Sequence, residues 1–216
     1  LSMIAHQWRQ PLSEVSGILM ELETASKFHK VSDEMIKESV NESNKLIQFM
    51  SYTIDDFRIF FKPDKQKVNF YIEDSCYEAI SLITASIKNY NITLNKKIIC
   101  NCEIYGYKRE FAQVLLNLIN NAKNKIVEKN IDFRKKAQIK INIERSAYYN
   151  IIEIIDDGGA IDEKIINSIF DPYFTTKETG TGFGLYMAKV IIEDKMRGII
   201  TVKNVNDTVV FTIKLP

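Results

Sequence analysis

A histidine near the start of an amphipathic helix is the first candidate for chemistry. His6 opens the run His-Gln-Trp-Arg-Gln-Pro-Leu at residues 6–12. It lies off the hydrophobic seam that Ala5 and Trp8 define, so we expect its imidazole to face outward. A neutral imidazole nitrogen is a competent nucleophile near neutral pH. Pro11 removes a backbone donor and is expected to bend or loosen the helix. Surface histidines are common, so a chemical role for His6 is supported only when other motifs accompany it.

Two asparagines one helical turn apart form the second candidate site. Asn117 and Asn121 share one face of a predicted helix, beside its apolar face. Carboxamide oxygens held in this way can accept hydrogen bonds from water or bind a hard cation such as Mg²⁺. The alternative is an ordinary polar surface, because asparagine is frequent throughout the chain.

Two glycine-containing segments complete the set. In the run Ile-Ile-Asp-Asp-Gly-Gly-Ala-Ile at residues 154–161, Asp156 ends a hydrophobic strand and Gly158 follows it. A buried carboxylate can accept from an exocyclic amine, and a glycine lets the backbone approach a planar ligand. The alternative is a plain strand-to-helix turn. In the run Thr-Gly-Thr-Gly-Phe-Gly-Leu at residues 179–185, glycines precede an apolar helical run and leave amide donors for an anion such as phosphate. This is not a Walker loop, because no Gly-Lys-Ser/Thr follows.

The first part of the chain is patterned as two helices. Apolar residues alternate at spacings of four and three, as in a coiled coil, and residues 28–34 interrupt the pattern. The seams run through Leu1, Ala5, Trp8, Leu12, Val15, Leu19 and Leu22, and through Ile36, Val40, Ser43, Ile47, Met50, Ile54, Phe57 and Phe61. Ser32 is the expected N-cap of the second helix. Because one hairpin buries too little alone, we predict a four-helix bundle made by two chains. The alternative is a hairpin packed on its own globular domain.

The rest of the chain mixes strands and helices. Predicted helices span residues 73–89 and 109–128, and predicted strands span 68–72, 92–94, 98–104, 139–143, 151–155, 201–205 and 209–215. This order favours an α/β sandwich with helices on one face of the sheet. The predicted domains are a helical hairpin at 1–62, a linker at 63–67 and an α/β domain at 68–216.

Composition excludes several classes of protein. The 216 residues include 29 Lys and Arg and 28 Asp and Glu, so a net charge of +1 gives no electrostatic argument for nucleic acid or an acidic membrane surface. Three cysteines are too few for a disulfide scaffold, and Cys100 and Cys102 are expected to be buried reduced thiols on one strand face. No apolar run approaches the roughly 18 residues of a membrane span. Because the chain begins at Leu1 inside a predicted helix, we expect a fragment of a longer protein.

The motifs, taken in order, resemble the conserved boxes of the bacterial sensor histidine kinases. The order is the phosphoacceptor histidine box, the Asn box, the first glycine box, a Phe box at residues 169–177 and the second glycine box. The resemblance covers nearly the whole chain. It implies a dimerisation and phosphotransfer hairpin followed by a Bergerat-type ATP-binding domain, as in type II topoisomerases and heat-shock chaperones.

The resemblance also implies an activity. His6 would be phosphorylated from ATP, with Gln7 beside it, and would pass the phosphoryl group to an aspartate of a response regulator. The implied partners are a second copy of the chain and the receiver domain of that regulator, with no nucleic acid. The implied location is the cytoplasm, as the cytoplasmic portion of a longer sensor protein that is either soluble or membrane-bound.

ATP and Mg²⁺ are the cofactors that the resemblance implies. Asn121 would coordinate Mg²⁺, Asp156 would accept from the adenine amine, and Ile161 would pack near the base. Phe170 and Phe174 would anchor a mobile lid from Asp171 to Thr181. The residues assigned to ATP are Asn117, Asn121, Asp156, Gly158, Ile161, Phe174, Lys177, Gly180, Thr181, Gly182, Gly184 and Leu185.

Several positions depart from the family pattern. Gln7 replaces the usual acid and cannot act as a base. Ala160 and Arg197 stand where glycines are common, and Ala160 would cost on the order of 1 kcal/mol if its φ had to be positive. A weakly active or inactive nucleotide-binding dimeric scaffold therefore stays open. So does an ATPase of the chaperone or topoisomerase type.

Overall fold

A computed structural model of the chain describes residues 2–60, 66–100, 102–129, 137–177, 180 and 182–216. The side chains of residues 2–8, 10, 49 and 52–60 are excluded from that description. The chain divides into two compact units. The helical unit contains the first two helices, and the α/β unit contains the elements from the first strand onward. None of the helices described is both long and apolar enough to span a bilayer.

The helical unit has two helices where the hairpin was predicted. Helix α1 spans Ser2–Lys27 and α2 spans Asp33–Phe60. Ser32 caps α2 as expected, because its Oγ accepts a hydrogen bond from the backbone N–H of Met35 at 3.1 Å. Helix α1 continues through Pro11, so the proline does not end it.

Among the seam residues whose side chains the structure describes, some are half-buried and others are exposed. On α1, Val15 and Leu22 are half-buried, whereas Leu12 and Leu19 are 53% and 58% exposed. On α2, exposure between 43% and 52% is shared by Ile36, Val40 and Ile47. One stripe of each seam is therefore left open on the single chain.

The α/β unit begins with β1 at Val68–Tyr71, α3 at Ile72–Asn89, β2 at Thr93–Ile98, β3 at Glu103–Gly106 and α4 at Lys108–Glu128. It continues with β4 at Gln138–Arg145, β5 at Asn150–Asp156, α5 at Gly184–Lys189, a π-helical segment at Val190–Lys195, β6 at Ile199–Val205 and β7 at Thr208–Leu215. The main sheet has the order β2-β4-β5-β7-β6, in which only β2 and β4 are parallel. Strands β1 and β3 form a separate antiparallel pair.

The core lies between helices and the main sheet, which confirms the predicted α/β sandwich. Every second residue of β5 is buried, including Ile152 and Ile154, as expected of a strand with one covered face. Helix α4 meets the core through a continuous apolar face that includes Phe111, Leu115 and Leu118. The sheet and α4 thus form a rigid frame for the ends of both elements.

The predicted single strand at residues 98–104 is wrong. Strand β2 ends at Ile98 and β3 begins at Glu103, and β3 pairs with β1 instead of the main sheet. The Cα atoms of Cys100 and Cys102 lie 5.4 Å apart, a normal separation for a disulfide, and the two are bonded. The expectation of two reduced thiols on a strand was therefore also wrong. Cys76 is the free cysteine, and burial raises its pKa to about 12.

Candidate nucleotide site

A buried carboxylate at the end of β5 is the centre of the candidate site. Asp156 is 3% exposed, and its Oδ1 accepts the backbone N–H of Gly158 at 2.9 Å. Burial raises the pKa of Asp156 to about 6, and the Gly158 hydrogen bond opposes the rise. The neighbouring Asp157 raises this pKa further, whereas the ammonium groups of Lys125 and Lys129 lower it. The site thus holds one buried carboxylate that can accept a hydrogen bond at the end of a covered strand.

Glycine is required beside this carboxylate for lack of space. A Cβ atom at Gly158 would lie 2.6 Å from Asp156 Oδ1 and 2.8 Å from Lys125 Cβ. Gly159 has a φ of +85°, the region that favours glycine. Ala160 is not among the residues with positive φ, so the cost suggested by its sequence position does not arise. The side of Gly158 on which a Cβ atom would lie is therefore filled by Asp156 and Lys125, and this close packing requires glycine there.

Helix α4 contributes the two predicted asparagines. Asn117 and Asn121 are both half-buried. A Cβ atom at Gly184 would lie 3.0 Å from Asn117 Cγ, so the Asn box packs directly on the second glycine box. Asn117 Nδ2 is buried and has no hydrogen-bond partner among the described residues. A buried polar atom without a partner is costly, and a ligand with an acceptor group would satisfy it.

The Phe box and the second glycine box meet at the base of the predicted lid. The N–H of Tyr173 donates to the carbonyl oxygen of Gly182 at 3.2 Å, and both residues have positive φ, at 69° and 67°. A Cβ atom at Gly182 would lie 2.6 Å from Tyr173 Cα, so only glycine fits there. Phe183 packs edge-to-face on Tyr173 and on Tyr186. Phe170 packs edge-to-face on Phe211 of β7.

Other predicted residues precede or follow these contacts along the chain. Phe174 and Leu185 are partly buried against the core, and Gly184 starts α5. Within the lid, the N–H of Lys177 donates to Thr175 Oγ1 at 3.1 Å, and the N–H of Gly180 donates to the Lys177 carbonyl at 3.2 Å. Thr181 lies outside the described residues, as do residues 178 and 179.

Asn204 contacts one of the predicted site residues, and sequence reasoning did not mark it. Its Oδ1 accepts the N–H of Ile161 at 2.9 Å, and its Nδ2 donates to the carbonyl oxygen of Ile161 at 2.8 Å. Asn204 belongs to β6, 43 residues after Ile161, and no local motif marks it. Only the sheet order, which puts β6 at one edge, brings the two together.

The phosphoacceptor prediction falls outside what the structure describes. The backbone of His6 and Gln7 belongs to α1, but their side chains are excluded from the description. Within the described part of the chain, no cluster of three or more His, Cys, Asp or Glu side chains is placed to bind a metal. A metal at this site would therefore depend on amide oxygens such as that of Asn121 and on the ligands that it brings.

Comparison with known proteins supports the resemblance to the sensor histidine kinases. Residues 106–216 match the family described as histidine kinase-, DNA gyrase B-, and HSP90-like ATPases. The sensor histidine kinase ZraS of Salmonella typhimurium is 29% identical over 222 residues, which cover 99% of this chain and 44% of the relative. The chain spans less than half the length of the curated relatives it matches first.

Solved structures agree in fold. The catalytic domain of histidine kinase ThkA is 28% identical, with a TM-score of 0.61 over 70% of this chain and 95% of that chain. The structure of histidine kinase ThkA in complex with response regulator protein TrrA covers 100% of this chain and 60% of that one, at 24% identity and a TM-score of 0.63. The resemblance to the sensor histidine kinases is thus confirmed, and the chain belongs to the family of histidine kinase-, DNA gyrase B- and HSP90-like ATPases.

Proposed function

We propose that this chain is the catalytic core of a protein-histidine kinase that binds MgATP, phosphorylates His6 and passes the phosphoryl group to a response regulator. The observation that carries the proposal is the buried Asp156 carboxylate at the end of a strand packed on α4, with its Oδ1 accepting the N–H of the closely packed Gly158. Family membership makes ATP the nucleotide to expect.

The adenine base would bind at this carboxylate. Asp156 would accept a hydrogen bond from the exocyclic amine, and Gly158 would let the base lie against the backbone. Ile161, which is half-buried, would pack near the base. Because Asp156 is already buried, water would compete only weakly for its carboxylate oxygens. Its hydrogen bond to the base would therefore favour adenine over bases that lack this amine.

The phosphates would lie toward the Asn box and the lid. The buried Asn117 Nδ2 has no partner among the described residues and would donate to a phosphate oxygen or to an ordered water. Lys177 would contact a phosphate. Gly180, Thr181 and Gly182 would close over the phosphates, while Gly184 and Leu185 would begin the helix behind them.

Mg²⁺ fits the chemistry of the Asn box on α4. It prefers oxygen ligands and keeps several waters, so one carboxamide oxygen from Asn121 together with phosphate oxygens is a sufficient ligand set. When bound, Mg²⁺ neutralises charge on the phosphates. The protein's own part is to hold the nucleotide in line with its acceptor.

His6 would be the acceptor. A neutral imidazole nitrogen attacks the γ-phosphorus, the bond to the ADP oxygen breaks, and the imidazole becomes a phosphohistidine. Gln7 can accept or donate a hydrogen bond but cannot take a proton. The residue that follows His6 therefore cannot remove a proton from the imidazole.

A second copy of the chain is the partner proposed for the hairpin. The open stripes of Leu12 and Leu19 on α1, and of Ile36, Val40 and Ile47 on α2, are apolar residues at seam spacing. A second hairpin would cover them in a four-helix bundle.

We also propose the division into a hairpin at 1–62, a linker at 63–67 and an ATP-binding domain at 68–216. A receiver domain is the proposed second partner, by analogy with the complex of ThkA. The cytoplasm is the proposed location.

A nucleotide-binding scaffold with little activity is the competing proposal, and Gln7 motivates it. Incubation of the purified chain with γ-labelled ATP and MgCl₂ separates the two. A kinase acquires a label that is lost in acid and kept in alkali, whereas a scaffold binds ADP but stays unlabelled. A chain that binds no adenine nucleotide would contradict both proposals.

A further inference from the structure

The loop that follows Asp156 has to keep its shape without a helix or a strand. Its first end is tied to β4, because Asp157 Oδ2 accepts the N–H of Gln138 at 2.9 Å and the Asp157 N–H donates to the Gln138 carbonyl at 3.2 Å. At its other end, the backbone of Ile161 pairs with no strand in the described part of the chain. The two backbone groups of Ile161 are instead bonded by the side chain of Asn204.

This pair of hydrogen bonds is specific to a carboxamide. One carboxamide offers an acceptor and a donor, so it satisfies the N–H and the carbonyl of Ile161 as a paired residue in a β-ladder would. Asn204 Nδ2 also donates to Glu163 Oε1 at 3.3 Å. A carboxylate at position 204 would keep the acceptor, lose the donor and face both the Ile161 carbonyl and the Glu163 carboxylate.

We propose that Asn204 is a positioning residue for the nucleotide base, acting by holding the backbone of Ile161 so that the Ile161 side chain stays against the adenine ring. This inference rests on the function proposed above. Strand β6 is an edge strand of the main sheet, paired on one side with β7. It therefore supplies a rigid point from which Asn204 holds the loop. Without the Asn204 side chain, nucleotide binding would have to order the loop that follows Asp156, and the affinity for the base would fall.

The test compares Asn204→Asp with Asn206→Asp. The second variant makes the same chemical change in the exposed turn after β6, two residues further on. ADP and inorganic tripolyphosphate, each with MgCl₂, are titrated into the full chain, and thermal unfolding is followed by circular dichroism. Asn204→Asp should weaken ADP about tenfold, the effect of losing one to two net hydrogen bonds, and leave tripolyphosphate within about twofold. Asn206→Asp should change neither ligand.

Two further variants keep the result interpretable. Asn204→Ser offers one hydroxyl to the two backbone groups and should weaken ADP by a smaller factor, about threefold. Adding Glu163→Gln to Asn204→Asp replaces a facing carboxylate with an amide donor and should recover part of the ADP affinity. Unchanged ADP affinity in Asn204→Asp, or an equal loss for ADP and tripolyphosphate, would overturn the inference and leave the kinase proposal intact. Failure of the unmodified chain to bind ADP would instead overturn the proposed function.

Discussion

The Asp156 carboxylate should make the protein less stable when no nucleotide is bound. Burial raises its pKa from 3.8 to about 6. The folded state therefore binds this proton more tightly than the unfolded state does, and stability declines as the pH rises from about 4 to about 6. The difference between the two pKa values corresponds to about 3 kcal/mol once the group is fully ionised. The site thus carries an energetic penalty that serves binding.

Asp156→Asn should remove this penalty and damage binding at the same time. The amide oxygen can keep the hydrogen bond from the Gly158 N–H, while the charge disappears. The buried amide adds donors without certain partners, which takes back part of the gain. We expect the free energy of unfolding at pH 7 to rise by about 1–2 kcal/mol. At pH 4 the variant should be no more stable than the unmodified chain. ADP affinity should fall at least about tenfold, because a charged acceptor is lost.

Urea unfolding of the full chain at pH 4, 5, 6 and 7, without nucleotide, measures the stability part, and calorimetry with ADP measures the binding part. Asp207→Asn is the matched control, because it makes the same change in the exposed turn between β6 and β7. A variant that is less stable than the unmodified chain at pH 7, or equally changed at every pH, would refute the burial argument. Unchanged ADP affinity would refute the adenine assignment.

Three other changes test separate parts of the structure. Arg197→Gly should raise the free energy of unfolding by about 0.5–1 kcal/mol, because Arg197 has a φ of 58°, and an unchanged urea midpoint would contradict this. Lys195→Met should destabilise the fold by about 2 kcal/mol, because it leaves the buried Glu110 carboxylate without the ammonium that lies 2.7 Å away. Adding Glu110→Met should restore most of that loss, and a double variant as unstable as the single one would show that the pair does not act alone. Asn121→Ala should abolish labelling from γ-labelled ATP while the circular dichroism spectrum is kept, and normal labelling would remove Asn121 from the metal site.

Sequence periodicity predicted most of the α/β unit because the core is built on regular apolar faces. Helix α4 was expected at residues 109–128 and begins one residue earlier, and β5 was expected at residues 151–155 and extends one residue further at each end. Asp156 and Gly158 were predicted from their position after a hydrophobic strand. Their close packing follows from that position, because a covered strand end leaves little room for a Cβ atom.

Features that depend on distant contacts were not predictable from local patterns. Residues 98–104 alternate like one strand, but their hydrogen-bond partners belong to two different sheets. The Asn204–Ile161 pair joins an edge strand to a loop 43 residues away. Backbone strain also occurs at positions other than the expected one. Ala160 does not have a positive φ, whereas Arg197 and Tyr173 do. Sequence shows that a glycine is missing at a position, but only the backbone shows whether a glycine was needed there.

Locating the transferred phosphoryl group tests the central proposal most directly. The full chain is incubated with MgATP, digested at alkaline pH to protect phosphohistidine, and its peptides are examined by mass spectrometry beside those of His6→Gln. We predict one phosphoryl group on the imidazole of His6, and none in the variant, which should still bind ADP with unchanged affinity. A phosphoryl group on another residue, or equal phosphorylation of His6→Gln, would contradict the account.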